Sequence, residues 1–423
     1  MPLPPVILSW SKGEGPEDAV GCAKTPRVAE RPPESHLSKS LLFIPGPVTV
    51  AEPVLAASAR PMIDHRGPAF KALLERIEAR MKPIFGTEKA EILVLGSSGT
   101  GGLEAAVGNL FGPGDRVLAC PIGVFGQRLI AIAKAFGCAV DVLETPWGSA
   151  VDPATLRAKL AEQRFDGVLL THNETSTGAQ NDIGALAEAL RGHDLYSVVD
   201  SVSGLAASPF AMDAWGFDVV VTASQKALAA PPGLAMVAVA PRAWERIDAN
   251  IGTQRFYFDL RKAREFAVLG QTPWTPPVSI VFALDAALEA FEAAGADAVH
   301  ARHARYARAI RAAAPGLGLA LYSREGAHSP TVVAIMLPEG IDADAIRKKL
   351  REERDVVMGG GQKELKGKIL RIGTMGDLTQ TDILGALGAL EIALLEIGAP
   401  VQAGTGVQAA LKVFLEEQQP AAV

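Results

Sequence analysis

The sequence has few cysteines and no long apolar run. Its 423 residues include 3 cysteines, Cys22, Cys120 and Cys138. An odd number without C-x-x-C spacing argues against a disulfide framework and against a zinc site, so we expect no metal and a reducing, cytoplasmic compartment. No apolar run reaches the roughly 18 residues of a membrane helix, and the apolar stretch near the start lacks a preceding basic segment. Neither a membrane span nor a signal peptide is therefore predicted.

Basic runs are also missing. Lys and Arg number 41 against 47 Asp and Glu, a net charge of -6. Binding to nucleic acid or to an acidic membrane is not expected from such a surface. With 48% hydrophobic and 21% charged residues the composition is that of a globular protein. A chain of this length is too long for one ordinary core, which predicts two domains plus tails.

Short apolar runs alternate with helical patterns along most of the chain, which predicts an α/β fold with a mostly parallel sheet. The connection between residues 224 and 235 is too short for a helical crossover, so one antiparallel strand is expected there. The seven predicted strands are 92–95, 116–120, 140–144, 167–171, 196–200, 218–224 and 235–240. Predicted helices between them are 101–111, 125–136, 153–163 and 182–190.

The pattern of apolar residues changes towards both ends of the chain. Residues 1–39 lack apolar periodicity and are interpreted as a disordered N-terminal arm. Helices are predicted at 278–293 and 298–313, followed by a strand, helix, strand, helix pattern at 331–337, 342–351, 368–372 and 379–395. We therefore expect a large domain at 40–300, a smaller α+β domain at 301–398 and a C-terminal tail at 399–423.

A glycine-rich stretch, G-S-S-G-T-G-G-L-E-A-A, occupies residues 96–106. Ser98, Gly99 and Thr100 would open a helix after a strand, where free backbone N–H groups form an anion seat. No Gly-Lys-Thr follows, and Glu104 breaks the dinucleotide G-x-G-x-x-G spacing, which weakens a nucleotide or NAD-dependent interpretation. A glycine-rich helix cap that only packs close to the sheet stays an equal alternative.

Three other predicted strands end in polar residues. T-H-N-E-T-S-T-G at 171–178 places seven consecutive hydrogen-bonding side chains after an apolar strand. Asp200 closes the next strand, and Lys226 follows the one after that, flanked by apolar residues. Taken singly, these are also what a capped loop, a capped turn and a surface lysine look like.

Together the four ends fit a pyridoxal 5'-phosphate site, because ligands of open α/β sheets collect at the carboxyl ends of the strands. Burial disfavours an ammonium, so Lys226 would supply a neutral amine for a Schiff base with the cofactor aldehyde. Asp200 would keep the pyridine nitrogen protonated, which makes the ring an electron sink.

The sequence resembles the class V aminotransferases of fold type I, in particular the alanine–glyoxylate and serine–glyoxylate branch. The resemblance runs from 43 to about 397. It rests on several motifs in order: F-I-P-G-P-V-T-V at 43, I-D-H-R-G-P-A-F at 63, S-G-T-G-G-L-E-A-A at 98, G-V-F-G-Q-R at 123, E-T-S-T-G at 174, V-V-D-S-V-S-G at 198, S-Q-K-A-L-A-A-P-P-G-L at 224, T-P-P-V-S at 275 and L-R-I-G-T-M-G at 370.

The resemblance implies a role for each matching position. Lys226 would carry the cofactor and Asp200 would pair with its ring nitrogen. Arg371 would grip the substrate carboxylate, and Thr175 would reach the phenolic oxygen or the substrate. The other cofactor contacts implied are Ser98, Gly99, Thr100 and Gln225 at the phosphate, Phe125 stacked on the ring, and Thr275 at the phosphate of a neighbouring subunit in a homodimer.

These observations predict a ping-pong transaminase that moves an amino group from alanine or serine to glyoxylate or pyruvate. The alternatives are a PLP-dependent lyase, a transaminase using aspartate or an aminophosphonate, and a non-catalytic subunit on the same fold. A cysteine desulfurase is disfavoured because no cysteine follows Cys138. Ala223, Thr100 and Trp274 depart from common family residues and leave the substrate open.

Overall fold

The computed structural model describes residues 40–250 and 254–416; the predicted arm at 1–39 lies outside them, as do 251–253 and 417–423. The strands of the described part are, in chain order, β1 (Leu41–Phe43), β2 (Glu91–Gly96), β3 (Arg116–Cys120), β4 (Ala139–Val142), β5 (Gly167–Thr171), β6 (Asn173–Glu174), β7 (Ala179–Gln180), β8 (Tyr196–Asp200), β9 (Val219–Ala223), β10 (Leu234–Val239), β11 (Ala320–Leu321), β12 (Val332–Met336), β13 (Val356–Gly360) and β14 (Ile369–Gly373). The α-helices there are α1 (Glu52–Ser58), α2 (Pro68–Phe85), α3 (Gly99–Leu110), α4 (Val124–Ala135), α5 (Pro153–Glu162), α6 (Ile183–Leu190), α7 (Met212–Trp215), α8 (Pro241–Ala249), α9 (Leu260–Ala267), α10 (Val278–Ala294), α11 (Ala296–Gly316), α12 (Ala343–Arg354), α13 (Gln380–Glu396) and α14 (Thr405–Glu416).

The central sheet has seven strands in the order β2, β10, β9, β8, β5, β3, β4. Neighbouring strands are parallel except that β10 runs antiparallel to both β9 and β2. The turn at 224–233 is too short for a crossover helix, so the chain returns beside β9 in the opposite direction. The predicted seven-stranded, mostly parallel sheet with one antiparallel strand is confirmed.

Helices cover both faces of this sheet, and side chains of each strand alternate between two apolar cores. Val220 of β9 packs in one core, with α2 and α10, while its neighbours Val219 and Val221 pack in the other, with α3. β5, β9 and β10 are buried along their whole length, as expected for strands covered on both faces. The predicted crossover helices correspond to α3, α4, α5 and α6.

A second sheet has the strand order β1, β13, β14, β12, β11. It has its own core, to which residues of α11, α12, α13 and α14 contribute. β1 pairs in parallel with β13, so the first described strand joins this second sheet although the sequence places it with the large domain. β13 has no counterpart among the predicted strands.

The segment 399–423, interpreted from the sequence as a tail, contains α14. This helix packs against α11 and buries Ala410, Val413 and Phe414. The expected boundary near residue 300 falls inside α11, and the chain from Ser40 onward forms one compact unit. We keep the division into a large and a small domain as a proposal that rests on the separate cores of the two sheets.

None of the helices within residues 40–250 and 254–416 is long and apolar enough to cross a membrane.

Candidate active site

The polar ends of β2, β5, β8 and β9 lie at one edge of the central sheet. β5, β8 and β9 are adjacent parallel strands, so their carboxyl ends meet there. β2 is separated from β9 by β10, which runs the other way, and its last residue Gly96 pairs with Leu234 at the same edge. Lys226, Asp200 and the first turn of α3 are thereby brought to one place.

Lys226 lies beneath the segment I-P-G-P at 44–47. Its Nζ donates a hydrogen bond to the carbonyl of Pro45, and a Cβ on Gly46 would come within 2.7 Å of that nitrogen. Burial, together with the charges of Arg371 and Arg128, lowers the pKa of Lys226 to about 8, and the charge of Asp200 opposes this effect. With this pKa roughly a tenth of the amine is neutral at pH 7, far more than for an exposed lysine.

Asp200 is the last residue of β8, and its side chain is buried, at 3% exposure. Among the described residues its carboxylate accepts one hydrogen bond, from the N–H of Val202 at 3.0 Å. Burial raises the pKa of Asp200 to about 7; Glu174 adds to the effect, whereas Lys226 and Arg128 counteract it. A carboxylate with spare acceptor capacity so close to Lys226 suits a protonated ring nitrogen.

The first turn of α3 lies at the position predicted for the anion seat, whose binding of an anion remains a prediction. Ser98 caps the helix, its Oγ accepting from the N–H of Gly101 at 3.3 Å. Gly99 is required by close packing, because a Cβ there would lie 2.9 Å from Val202 and 3.2 Å from Ala223. The first N–H groups of a helix have no partner within it and attract an anion.

Gln225, which precedes the lysine, has a buried Oε1 without a hydrogen-bond partner in the described part of the chain. Buried polar groups are normally paired, so this amide is available for a bound group; its Oε1 can only accept, and its Nε2 would be the donor to a phosphate. Together with the amine, the carboxylate and the helix N-terminus, it makes a site whose residues fit pyridoxal phosphate.

Phe125 lies in the first turn of α4, and its ring is half-buried. The guanidinium of Arg128 is 4.6 Å from the centre of this ring, and Arg128 Nη1 donates to Thr100 Oγ1 at 2.9 Å. Arg128 thus connects the ring to the anion seat of α3. The sequence interpretation assigned Arg128 no role, although G-V-F-G-Q-R contains it.

All seven polar side chains from Thr171 to Thr177 are buried. Asn173 donates to Ser203 at 2.8 Å and to Thr331 at 2.9 Å, which connects the central sheet to the residue before β12. His172 Nδ1 is 2.8 Å from Ser201 Oγ, and burial lowers the pKa of His172 to about 4. The run of seven polar side chains in this loop therefore serves contacts with distant parts of the chain as well as local capping.

Arg371 lies in the middle of β14 and is only 7% exposed, so it is not a surface residue. Its Nε donates to the carbonyl of Gly360 at 2.6 Å and its Nη1 to the carbonyl of Thr175 at 2.8 Å. Nη2 makes no hydrogen bond to a residue within the described ranges. Burial lowers the pKa of Arg371 to about 10, an effect that Glu174 opposes. The guanidinium stays charged and keeps donors for a carboxylate.

Thr275 is exposed and belongs to a loop that lies against the end of β2, where a Cβ on Gly96 would be 3.1 Å from Pro277. Its contact with a second subunit remains a prediction.

Comparison with known proteins finds relatives that cover most of the chain. The chain is 40% identical to the protein named soluble hydrogenase, small subunit, of Synechococcus sp., over 89% of this chain and 98% of that protein. It is 38% identical to L-aspartate–glyoxylate aminotransferase of Paracoccus denitrificans, over 88% and 96%. It is 36% identical to serine–glyoxylate aminotransferase of Arabidopsis thaliana, over 90% and 96%.

A solved structure has the same fold. Alanine–glyoxylate aminotransferase from Nostoc sp. superposes with a TM-score of 0.82 at 29% identity, over 88% of this chain and 100% of that one. The family model described as Aminotransferase class-V matches residues 53–380, which span the anion seat, Asp200, Lys226 and Arg371. The chain belongs to the class-V aminotransferase family.

Proposed function

We propose that this protein is a PLP-dependent transaminase that moves an amino group from a small amino acid, alanine or serine, to glyoxylate or pyruvate by a ping-pong cycle. The observation that carries the proposal is the meeting of Lys226, Asp200 and the N-terminus of α3 at one sheet edge, with Arg371 reaching it from the second sheet. When bound, pyridoxal phosphate supplies an aldehyde that binds amines covalently and a ring that withdraws electrons from the substrate α-carbon.

Lys226 serves as covalent anchor and as proton carrier. Its pKa near 8 leaves part of the amine neutral, so Lys226 would bind the aldehyde of the cofactor and would carry the proton of the substrate α-carbon. Asp200 would hold a proton at the ring nitrogen through its free acceptor positions. Ser98, Gly99, Thr100 and Gln225 would bind the phosphate, and Phe125 would contact the ring.

Arg371 orients the substrate by its carboxylate. A planar guanidinium already fixed by two backbone carbonyls needs little reorganisation to bind a second, anionic partner. Thr175, buried beside it, is placed for the phenolic oxygen or the substrate.

Aspartate is a second candidate donor, because a relative of similar identity is named for aspartate and glyoxylate. A subunit without transaminase activity on the same fold is the other alternative, because one relative is named as the small subunit of a soluble hydrogenase. The complete set of Lys226, Asp200 and Arg371, close enough for the charges of Asp200 and Arg371 to act on the lysine, favours an enzyme.

We also propose a homodimer in a reducing, cytoplasmic compartment. Cys120 and Cys138 are free and buried thiols, which suits reducing conditions. The dimer is supported by an aromatic patch beside the anion seat, formed by Phe256, Tyr257 and Trp274.

The test is an absorbance spectrum of the purified protein with PLP, before and after L-alanine, L-serine or L-aspartate is added without an acceptor. We expect the band near ~420 nm typical of lysine-bound cofactor to fall with the donor and to return with glyoxylate or pyruvate. A protein that stays colourless with added PLP would exclude the cofactor. A yellow protein inert to every amino donor would instead favour a lyase or a non-catalytic subunit.

A further inference from the structure

Glu174 is a buried carboxylate at the centre of the site, without a basic side chain bonded to it among the described residues. Its exposure is 0%. Oε2 accepts from the N–H groups of Phe125 at 3.0 Å and Gly126 at 3.1 Å, and Oε1 accepts from Ser176 N at 3.0 Å and Ser176 Oγ at 2.6 Å. Four donors compensate for its burial, and two of them belong to the first turn of α4.

Gly123 lets the 174–176 segment approach the start of α4, because it has no side chain. A Cβ on Gly123 would lie 2.5 Å from Glu174 Cγ and 2.5 Å from Ser176 Oγ. Ser176 Oγ also accepts from the N–H of Val124 at 3.0 Å. Three successive N–H groups at the start of α4 thus donate to side chains of the 174–176 segment. Orphan N–H groups at a helix start are costly when buried, which makes this cap specific.

The residue after Glu174 makes the second connection. The carbonyl of Thr175 accepts from Arg371 Nη1 at 2.8 Å, so one short segment contacts both the helix that carries Phe125 and the guanidinium of β14. Helix α4 packs against β3 and β5 of the central sheet, whereas Arg371 belongs to the second sheet, and no described hydrogen bond joins Arg371 directly to α4. Their relative position depends on 174–176.

We propose that Glu174 is a positioning residue that couples the aromatic ring of Phe125 to the guanidinium of Arg371. The carboxylate fixes the first turn of α4, and the hairpin of β6 and β7 that it stabilises holds the Thr175 carbonyl against Arg371. This inference rests on the proposed function, since it assigns Phe125 to the cofactor ring and Arg371 to the substrate carboxylate.

Glu391 provides a matched control. It is also a buried glutamate, and it accepts the N–H groups of Gly404 and Val407 at 2.8 Å each around the start of α14, away from the site. Glu174→Gln and Glu391→Gln therefore remove the same kind of cap at two places. Gly123→Ala is a second route to the same defect, because its Cβ displaces the carboxylate without changing it.

The experiment compares the four proteins by hydrogen–deuterium exchange without cofactor, and by circular dichroism in the absorption band of bound PLP. In E174Q and G123A we expect faster exchange of the amides at 124–126 and a weaker dichroic signal per bound cofactor. The KM for the amino donor should rise about tenfold, with a smaller fall in kcat. In E391Q the faster exchange should fall at 404–407, with the dichroic signal and KM unchanged.

The outcomes separate the two proposals. If exchange at 124–126, the dichroic signal and KM in E174Q change no more than in E391Q, the coupling is wrong while the transaminase assignment stands. If KM rises in E174Q without loss of the dichroic signal, Glu174 does not position the ring and the coupling is again wrong. If the wild type binds no PLP, the proposed function fails, and unchanged exchange at 124–126 in E174Q would still overturn the coupling.

Discussion

At the scale of single residues, the site depends on burial more than on residue type. The same lysine on the surface would be a solvated cation, but the surroundings of Lys226 lower its pKa to about 8. Asp200, buried at the end of β8, has its pKa raised to about 7 for the same reason. Each charge stabilises the other, so changing one should move the titration of its partner.

This coupling predicts the pH dependence of Lys226 reactivity. The neutral amine is the nucleophile, so labelling of Lys226 in cofactor-free protein should increase with pH with a midpoint at about 8, below the ordinary 10.5. Asp200→Asn removes the negative charge that raises this pKa, so the midpoint should move to lower pH. Competitive acetylation followed by mass spectrometry of the Lys226 peptide measures both, with the other lysines as internal reference.

Asp297→Asn, a change at an exposed carboxylate on α11, is the control and should leave the midpoint in place. A midpoint near 10.5 in the wild type would show that Lys226 is solvated. An unchanged midpoint in D200N would show that the two side chains do not interact.

The second residue-scale prediction concerns Arg371→Lys. A lysine keeps the charge but cannot bind Gly360, Thr175 and a carboxylate with one planar group. We expect KM for the amino donor to rise about 10-fold to 100-fold, with PLP affinity changed far less. Arg246→Lys, which alters an arginine bound to Leu110 and Asp115 outside the site, should leave KM unchanged. Equal losses in both variants would point to a general folding defect.

Some site residues could be found from the sequence and others could not. Lys226, Asp200 and Ser98 end apolar strands or begin a helix, and such positions can be located from local patterns. Glu174 and Arg128 act through contacts with segments 28 or more residues away, Arg128 with Thr100 and Glu174 with Phe125. No local pattern encodes those partners; the family motifs contain both residues without saying what they touch.

At the scale of secondary-structure elements, α3 must approach the sheet closely for its N-terminus to reach the site. Gly102 permits this approach, because a Cβ there would lie 2.8 Å from Val221 and 2.9 Å from Ala235. Two strands of the sheet, β9 and β10, therefore meet the helix backbone at a position without a side chain.

Gly102→Ala should push α3 away from the sheet. We expect a loss of about 1–3 kcal/mol in the free energy of unfolding and weaker PLP binding. Gly385→Ala in α13 is the matched control, since nothing lies within 4 Å of its Cβ position, and it should stabilise the protein by about 0.5–1 kcal/mol. Denaturant titration and PLP titration measure the two effects. Stabilisation by G102A would show that the gap between α3 and the sheet accommodates a methyl group.

Strands of the central sheet were predictable because continuous apolar runs and connection lengths are local properties. β1 could not be assigned to the second sheet in the same way, since three residues, L-L-F, carry no information about a partner at 356–358. β13 reads V-V-M-G-G, where two glycines weaken the strand pattern. α14 lies in a segment taken as a tail, and its burial against α11 is a long-range packing effect.

At the scale of the whole molecule, an exposed aromatic patch lies beside the anion seat. Phe256 is 72% exposed and Tyr257 47%, and their rings lie 4.8 Å and 5.9 Å from that of Trp274. The hydroxyl of Tyr257 donates to the carbonyl of Gly96, two residues before Ser98. Large exposed aromatic residues in one cluster are typical of an interface, and a second copy seated here would cover the loop that carries Thr275.

Phe256→Glu should therefore dissociate the proposed homodimer. A carboxylate in the middle of an apolar interface loses hydration without gaining a partner, which costs several kcal/mol. Sedimentation velocity should show a monomer, and PLP affinity should fall if, as we propose, Thr275 of the partner subunit contributes to the phosphate site. Leu411→Glu, on the exposed side of α14, is the control and should stay dimeric with normal PLP affinity. A dimer in F256E together with a monomer in L411E would place the interface on α14, and the cofactor site would then belong to one chain alone.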